Sequence, residues 1–324
     1  MSSLESASTH VTLNTGHKIP VIGLGTWQAG PGVVGGVIEA AIRAGYRHID
    51  GAYIYGNEKE IGDILQKLFK EGVVKREDLW ITSKLWHDSH GAEEAPKSLQ
   101  ETLSDLQLEY LDLYLIHGPV SLKKGFSWPP EAHMFNSEKS LEEDTKETWQ
   151  ALEKMVEEGK VRHIGVSNFT SEKIALVLKY AKIAPSVNQV ECHPMWRQDK
   201  LRAFMKKHNI HLSAYSPLGT WGSPGITVNL LEQPILKKIS EKHGKTPAQV
   251  SLRWGIQMGN SVLPKSTRPE RLKENFDVFN FHLDDEDMAE IEKLEQKRFI
   301  RADFLCSEGS WYRTLEDLWD GEGW

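Results

Sequence analysis

The stretch Tyr46-Arg-His-Ile-Asp-Gly-Ala-Tyr-Ile-Tyr-Gly-Asn-Glu58 decides how the rest of the chain is read. A short strand-like run, Tyr46 to Ile49, ends in Asp50, and two tyrosines follow at Tyr53 and Tyr55. A carboxylate at the end of a buried strand is costly unless a cation meets it. A tyrosine beside such a pair is a candidate proton donor, because a nearby ammonium favours the phenolate and brings the phenol pKa down from about 10. The stretch therefore calls for a lysine elsewhere in the sequence.

Outward from this stretch, strand-like apolar runs recur at 21–25, 47–49, 79–83, 111–116, 163–166, 187–190, 211–214 and 261–263. Helix-patterned segments lie between them at 35–44, 59–70, 93–106, 146–157, 171–181, 200–208, 232–258 (two helices, split at 244–247) and 269–276. Capping signals such as Thr170-Ser-Glu-Lys and Thr246-Pro-Ala-Gln support several of the starts. Strands alternating with helices imply a parallel α/β sheet with right-handed crossovers, and an eightfold count favours a closed (β/α)8 TIM barrel. The segment 10–20, with Asn14-Thr-Gly16 at its turn, reads as an N-terminal β-hairpin. One domain is expected: hairpin 10–20, barrel 21–298 and a C-terminal loop 299–324.

The strand ends carry the chemistry. Successive runs finish on Asp50, Lys84, His117, Ser167-Asn168, Gln189 and Glu191, Tyr215-Ser216, and Lys265-Ser266. A barrel brings such ends to one face, where active sites are built. Lys84, in Ile81-Thr-Ser-Lys-Leu-Trp86, is the lysine sought: it would pair with Asp50 and stabilise phenolate developing on Tyr55. His117 could hydrogen-bond a substrate carbonyl and orient it. This set delivers a proton but no electrons, so a reducing cofactor is implied, most simply a nicotinamide. A long Pro- and Gly-rich segment after the fourth strand, 118–145, and the aromatic tail with Phe304, Trp311, Tyr312, Trp319 and Trp324 are read as walls over the barrel mouth.

Composition narrows the partners. Net charge is −7, with 39% hydrophobic and 26% charged residues, which describes a soluble globular chain and disfavours nucleic acid or anionic membrane. Only Cys192 and Cys306 are present, without paired spacing, so a reducing, cytoplasmic setting is expected. Met1-Ser-Ser-Leu-Glu-Ser-Ala-Ser lacks the features of a secretory signal, and there is no apolar run long enough to span a bilayer. Asn168-Phe-Thr170 fits a glycosylation pattern but is read as incidental without secretion. The histidines of His87-Asp-Ser-His90 form an isolated pair, so no metal is expected.

Several longer motifs point further. Gly45-Tyr-Arg-His-Ile-Asp-Gly-Ala-Tyr-Ile-Tyr-Gly-Asn-Glu, Leu111-Asp-Leu-Tyr-Leu-Ile-His117, Ile164-Gly-Val-Ser-Asn-Phe169 and Leu263-Pro-Lys-Ser266 resemble the aldo-keto reductase family across essentially the whole chain. Gly23-Leu-Gly-Thr-Trp-Gln, Asn188-Gln-Val-Glu-Cys-His-Pro and Leu315-Glu-Asp-Leu-Trp-Asp-Gly look most like its plant cytosolic, NADPH-dependent branch. The resemblance implies NADPH-dependent reduction of aldehydes and ketones by a cytoplasmic monomer, with small carbonyl compounds as substrates. It places the catalytic tetrad on Asp50, Tyr55, Lys84 and His117, with Tyr55 as proton donor and Tyr53 in a pocket or packing role.

The same resemblance supplies the cofactor and pocket residues. Ser167, Asn168 and Gln189 match the carboxamide contacts, Tyr215 the ring stacked on the nicotinamide, and Ser216 and Leu218 the pyrophosphate wall. Lys265, Ser266, Thr267 and Arg271 match a 2′-phosphate clamp, and Glu274 and Asn275 the adenine contacts. Gly25, Thr26 and Asp50 complete the cofactor-binding set, while Trp27, Tyr55, Trp86, His117 and Phe304 line the substrate pocket. A lysine, hydroxyls and an arginine suit a dianionic phosphate on physical grounds, and no Gly-x-Gly-x-x-Gly is present. Many relatives carry tryptophan after the catalytic histidine, whereas this chain has Gly118, which predicts a wider pocket on that side. Two other roles stay open: a biosynthetic ketoreductase for one bulky metabolite, or an NADPH-binding regulatory or scaffold protein on the same fold.

Overall fold

The computed structural model describes residues 9–125 and 129–323. The first eight residues, the piece 126–128 of the long loop, and Trp324, counted above among the tail aromatics, lie outside it. The hairpin pairs β1 (His10–Thr12) with β2 (Lys18–Pro20). Eight parallel strands follow: β3 (Leu24–Gly25), β4 (His48–Asp50), β5 (Trp80–Leu85), β6 (Leu111–Ile116), β7 (Val161–Ser167), β8 (Val187–Glu191), β9 (His211–Tyr215) and β10 (Ser261–Leu263). Each pairs with its sequence neighbours. The ends of the sheet meet where Ile22 bridges Val262, with Gly23 N–H donating to the Val262 carbonyl at 2.9 Å. The sheet thus curls into the expected barrel, and Ile19 and Leu13 of the hairpin pack against Trp80, Leu113, Leu115 and Val187 across its N-terminal end.

Helices α1 (Val34–Ala44), α2 (Glu58–Lys70), α3 (Glu94–Leu106), α4 (Leu141–Glu157), α5 (Ser171–Leu178), α6 (Asp199–Lys207), α7 (Pro234–His243), α8 (Pro247–Gln257) and α9 (Pro269–Phe276) follow the expected alternation. Gly45 ends α1 in the left-handed region at φ 110°, turning the chain into Tyr46 and β4. Two helices are additional: α10 (Asp285–Glu292) and α11 (Leu315–Trp319). Helix α4 begins five residues earlier than its apolar periodicity suggests, because Ser140 and Glu143 form a reciprocal capping box.

The two presumed walls are one structure. Val120, Leu122 and Phe135 of the long loop form an apolar cluster with Leu305, Tyr312, Leu318 and Trp319 of the tail. The Tyr312 hydroxyl adds a hydrogen bond to the Pro119 carbonyl at 2.8 Å. Burying each such large side chain contributes on the order of 1.5–3 kcal/mol, so this cluster, rather than the backbone, holds the loop and tail over the mouth.

Candidate active site

Neighbouring parallel strands set the central ion pair. Asp50 ends β4 opposite Thr82, and Lys84 stands two residues further along β5. The Lys84 ammonium donates to both Asp50 oxygens, at 3.0 and 2.9 Å, and to the Gly51 carbonyl at 2.8 Å, which uses all three of its N–H groups. Both side chains are buried, and a pair without water survives only when its remaining donors and acceptors are met. Gln189 Nε2 does this for Asp50 Oδ1, donating at 2.7 Å. Burial pushes the Lys84 ammonium below its ordinary pKa, with Asp50 opposing the shift.

Tyr55 ends the single 3-10 turn Tyr53–Tyr55 and lines the cavity, which Tyr53 does not. Lys84 Nζ lies 5.3 Å from the centre of the Tyr55 ring, and the His117 ring meets it edge-on at 6.0 Å. A neighbouring ammonium is expected to lower the phenol pKa, but here its protons are committed to Asp50 and Gly51. Burial first, and the Asp50 charge second, instead hold the phenol well above its ordinary pKa. Tyr55 therefore keeps its proton at neutral pH, and among the described residues its hydroxyl has no hydrogen-bond partner.

His117 follows β6. Burial, then the Lys84 charge, pushes its pKa far down, so the ring is neutral. Its backbone carbonyl accepts from Asn168 Nδ2 at 2.9 Å, and Asn168 Oδ1 accepts from the Tyr215 hydroxyl at 2.8 Å. Ser167 Oγ donates to the Gln189 carbonyl at 2.8 Å. Asn168 and Ser216 hold positive φ, 62° and 49°, conformations that persist where surrounding structure fixes them and that recur at ligand sites.

These side chains open on a cavity of about 740 Å³, the size of a pocket for a cofactor portion and a small ligand. Of the expected cofactor residues, Gly25, Asp50, Ser167, Asn168, Gln189, Tyr215, Ser216, Leu218 and Lys265 line it. So do the expected pocket residues Trp27, Trp86 and Phe304. Thr26 stands behind the lining, its hydroxyl bonded to the Asp50 carbonyl at 2.9 Å. Trp319, read from the sequence as part of the wall over the mouth, also lines the cavity, whereas sequence reasoning missed Ile54, Trp221 and Leu305. Trp27, Ile54, Trp221 and Phe304 are each at least 40% exposed, so the mouth carries an exposed apolar rim. The glycine-rich context of Trp221 is the one signal that could have found it.

Ser266, Thr267 and Arg271, the other residues expected in the clamp, are not in the cavity lining and stand around the start of α9. Ser266 Oγ accepts from Arg268 N–H at 3.1 Å, while Lys265, Thr267 and Arg271 are exposed and unpartnered among the described residues. Two unpaired cations near a helix N-terminus are groups of the kind that suit an anion. Glu274 is engaged by the Thr246 hydroxyl at 2.8 Å, and Asn275 is buried.

Two expectations change. Glu191 has no exposed surface and accepts from Phe299 N–H and Ile300 N–H at 2.8 and 2.9 Å, so it ties the tail to the barrel instead of facing the cavity. Gly118 leaves no open space at its side-chain position: a Cβ there would stand 2.8 Å from His87 Cε1, so an imidazole occupies that volume. The His90 partner is Asp144, at 2.7 Å, and no group of three or more potential metal ligands occurs among the described residues. Nor is any described helix long and apolar enough to cross a membrane.

Glu58, the last residue of the opening stretch, is buried and accepts from Ser83 and Thr102. Burial raises its carboxyl to about 7. An acid raised on folding binds more protons in the native state, so stability should fall as pH rises from about 4.5 to about 7, by roughly 3 kcal/mol, and level off above. Urea unfolding across that range should show this slope, and Glu58→Gln should remove it. An unchanged slope in the variant would place the titration elsewhere.

Comparisons with known proteins bear on this geometry. The model of the Aldo/keto reductase family matches residues 21–296. Aldo-keto reductase family 4 member C11 of Arabidopsis thaliana is 50% identical over 311 residues, covering 96% of this chain and 97% of its own. Aldo-keto reductase family 1 member A1 of Bos taurus is 46% identical over 303 residues, covering 91% and 92%. Among solved structures, the aldose reductase from Schistosoma japonicum aligns with a TM-score of 0.84 at 39% identity, over 92% of this chain and 96% of that one.

Proposed function

We propose that this chain, which belongs to the Aldo/keto reductase family, reduces aldehydes and ketones of broad range with NADPH, Tyr55 being the proton donor. The observation that carries the reading is a protonated, unpartnered tyrosine at the cavity wall, set against a buried Lys84–Asp50 pair and a neutral histidine. Tyr215, Asn168 and Gln189 fit the nicotinamide end of the cofactor, and Lys265 and Arg271 fit its 2′-phosphate. When bound, the reduced nicotinamide supplies the hydride. The chain's own residues manage the proton. His117 orients the carbonyl oxygen through a ring hydrogen bond, Tyr55 gives its proton to that oxygen, and the adjacent Lys84 charge offsets the phenolate left behind. The apolar rim supports varied organic substrates, and two free thiols suit a reducing, cytoplasmic compartment.

A panel of aldehydes and ketones, followed through consumption of NADPH, tests the reading: turnover is expected, and NADPH binding without any turnover would refute it. Arg271→Ala should weaken NADPH by roughly 1.5–3 kcal/mol, about 10- to 150-fold, with NADH little changed. Titration of both cofactors checks this, and equal weakening would remove the arginine from the phosphate clamp.

A further inference from the structure

We propose that Asn57 is a positioning residue that fixes Trp27 in the cavity wall and so sets how firmly organic carbonyl substrates are held. The inference rests on the carbonyl reduction proposed above and adds a residue to that site. Asn57 follows Tyr55 by two residues, is buried, and stands at the start of α2. It does not itself line the cavity, whereas Trp27 and Gln28 do.

The turn that carries Trp27 is held from outside. Ala29 N–H donates to the Thr26 carbonyl at 3.2 Å, closing a four-residue turn with Gln28 in third place. Gln28 has φ 58°, a region that turns usually give to glycine or asparagine, and such strain persists only where neighbours fix it. Asn57 is that neighbour. Its Nδ2 donates to the Thr26 carbonyl at 3.0 Å and to the Ala29 carbonyl at 3.1 Å, gripping both ends of the turn. Both partners are carbonyl oxygens, which only accept, so the orientation of the amide is settled.

Asn57 does this in place of its ordinary work. At a helix start the asparagine oxygen normally accepts from an N–H group of the first turn. The Asn57 side chain makes no such bond, and its Oδ1 is buried with no hydrogen-bond partner among the described residues. A residue that forgoes the local bond for a distant one marks a place where function sets the side chain. Glu60, one turn on, accepts from Gly32 N–H and Gly35 N–H, both at 2.8 Å, and keeps the start of α1 in place without Asn57. The near end is tied to Asp50, whose carbonyl accepts from the Thr26 N–H at 3.1 Å and its hydroxyl at 2.9 Å. Losing the amide therefore frees Trp27 and Gln28 between two points that hold.

The test measures reduction of benzaldehyde by the wild type, Asn57→Ser, Trp27→Ala and the double variant. Serine caps a helix as well as asparagine does but cannot reach two carbonyls, so the start of α2 is kept and the grip is lost. KM should rise roughly three- to tenfold in Asn57→Ser, the effect of one hydrogen bond, while kcat holds, because a wall binds ground and transition states alike. Trp27→Ala should raise KM by a similar factor in the wild type but add less than about twofold to Asn57→Ser, since both act through one contact. An unmoved KM, or a Trp27→Ala effect that persists in full beside Asn57→Ser, overturns the assignment while leaving the reductase reading intact. Asn57→Asp, with the same shape and no N–H to offer, should raise KM likewise and serves if the serine variant does not fold. Should the wild type reduce no carbonyl, the reductase reading fails, and the place of Trp27 still decides the inference. In protein labelled with fluorotryptophan, the 19F resonance missing from Trp27→Phe should move in Asn57→Ser, and an unmoved resonance overturns it.

Discussion

Tyr55→Phe should abolish carbonyl reduction, lowering kcat by roughly 10²- to 10⁴-fold, the usual contribution of a positioned acid. NADPH affinity should remain nearly that of the wild type. The hydroxyl has no structural partner among the described residues, so its removal breaks no hydrogen bond of the fold. The ring's contacts with His117 and Lys84 survive in phenylalanine. Single-turnover measurement with bound NADPH isolates the chemical step from binding. A variant that instead loses NADPH affinity and keeps its chemical rate would mean that Tyr55 belongs to the cofactor site.

The second large effect lies under the tyrosine. Lys84→Met keeps the length of the side chain but leaves Asp50 buried without its cation, and removes the bond to the Gly51 carbonyl. Breaking one half of a buried pair costs roughly 3–5 kcal/mol, far above the value of a surface ion pair. The variant should unfold at lower denaturant and reduce carbonyls very poorly. Adding Asp50→Asn should restore much of the stability, because the stranded charge is gone, but not the activity. Denaturant unfolding of the four proteins in the cycle checks the first half, and turnover the second. If both single variants were as stable as the wild type, the pair would not organise this end of the barrel.

The strands were legible because each is an apolar run punctuated by a polar residue, and runs 111–116 and 261–263 coincide with β6 and β10. Convergence of Asp50, Lys84 and His117 follows from strand order alone, so the ion pair could be anticipated. What escaped depends on local capping or on distant contacts. Helix α10 opens with Asp284 capping an acidic, weakly apolar turn that periodicity overlooks. The role of Glu191 is set by backbone N–H groups more than a hundred residues away. Gly118 suggested extra room, but His87 comes back from the preceding strand to fill it. The direction of the Tyr55 pKa turned on the depth at which the phenol is buried, with the Asp50 charge adding to it, which no spacing reveals.

The most direct measurement is a structure of the enzyme with NADP+ and an unreactive carbonyl ligand. The proton-donor role predicts the Tyr55 hydroxyl and a His117 ring nitrogen each at about 2.6–3.2 Å from the same carbonyl oxygen. A carbonyl held by other groups, with the Tyr55 hydroxyl turned away from it, would contradict that role.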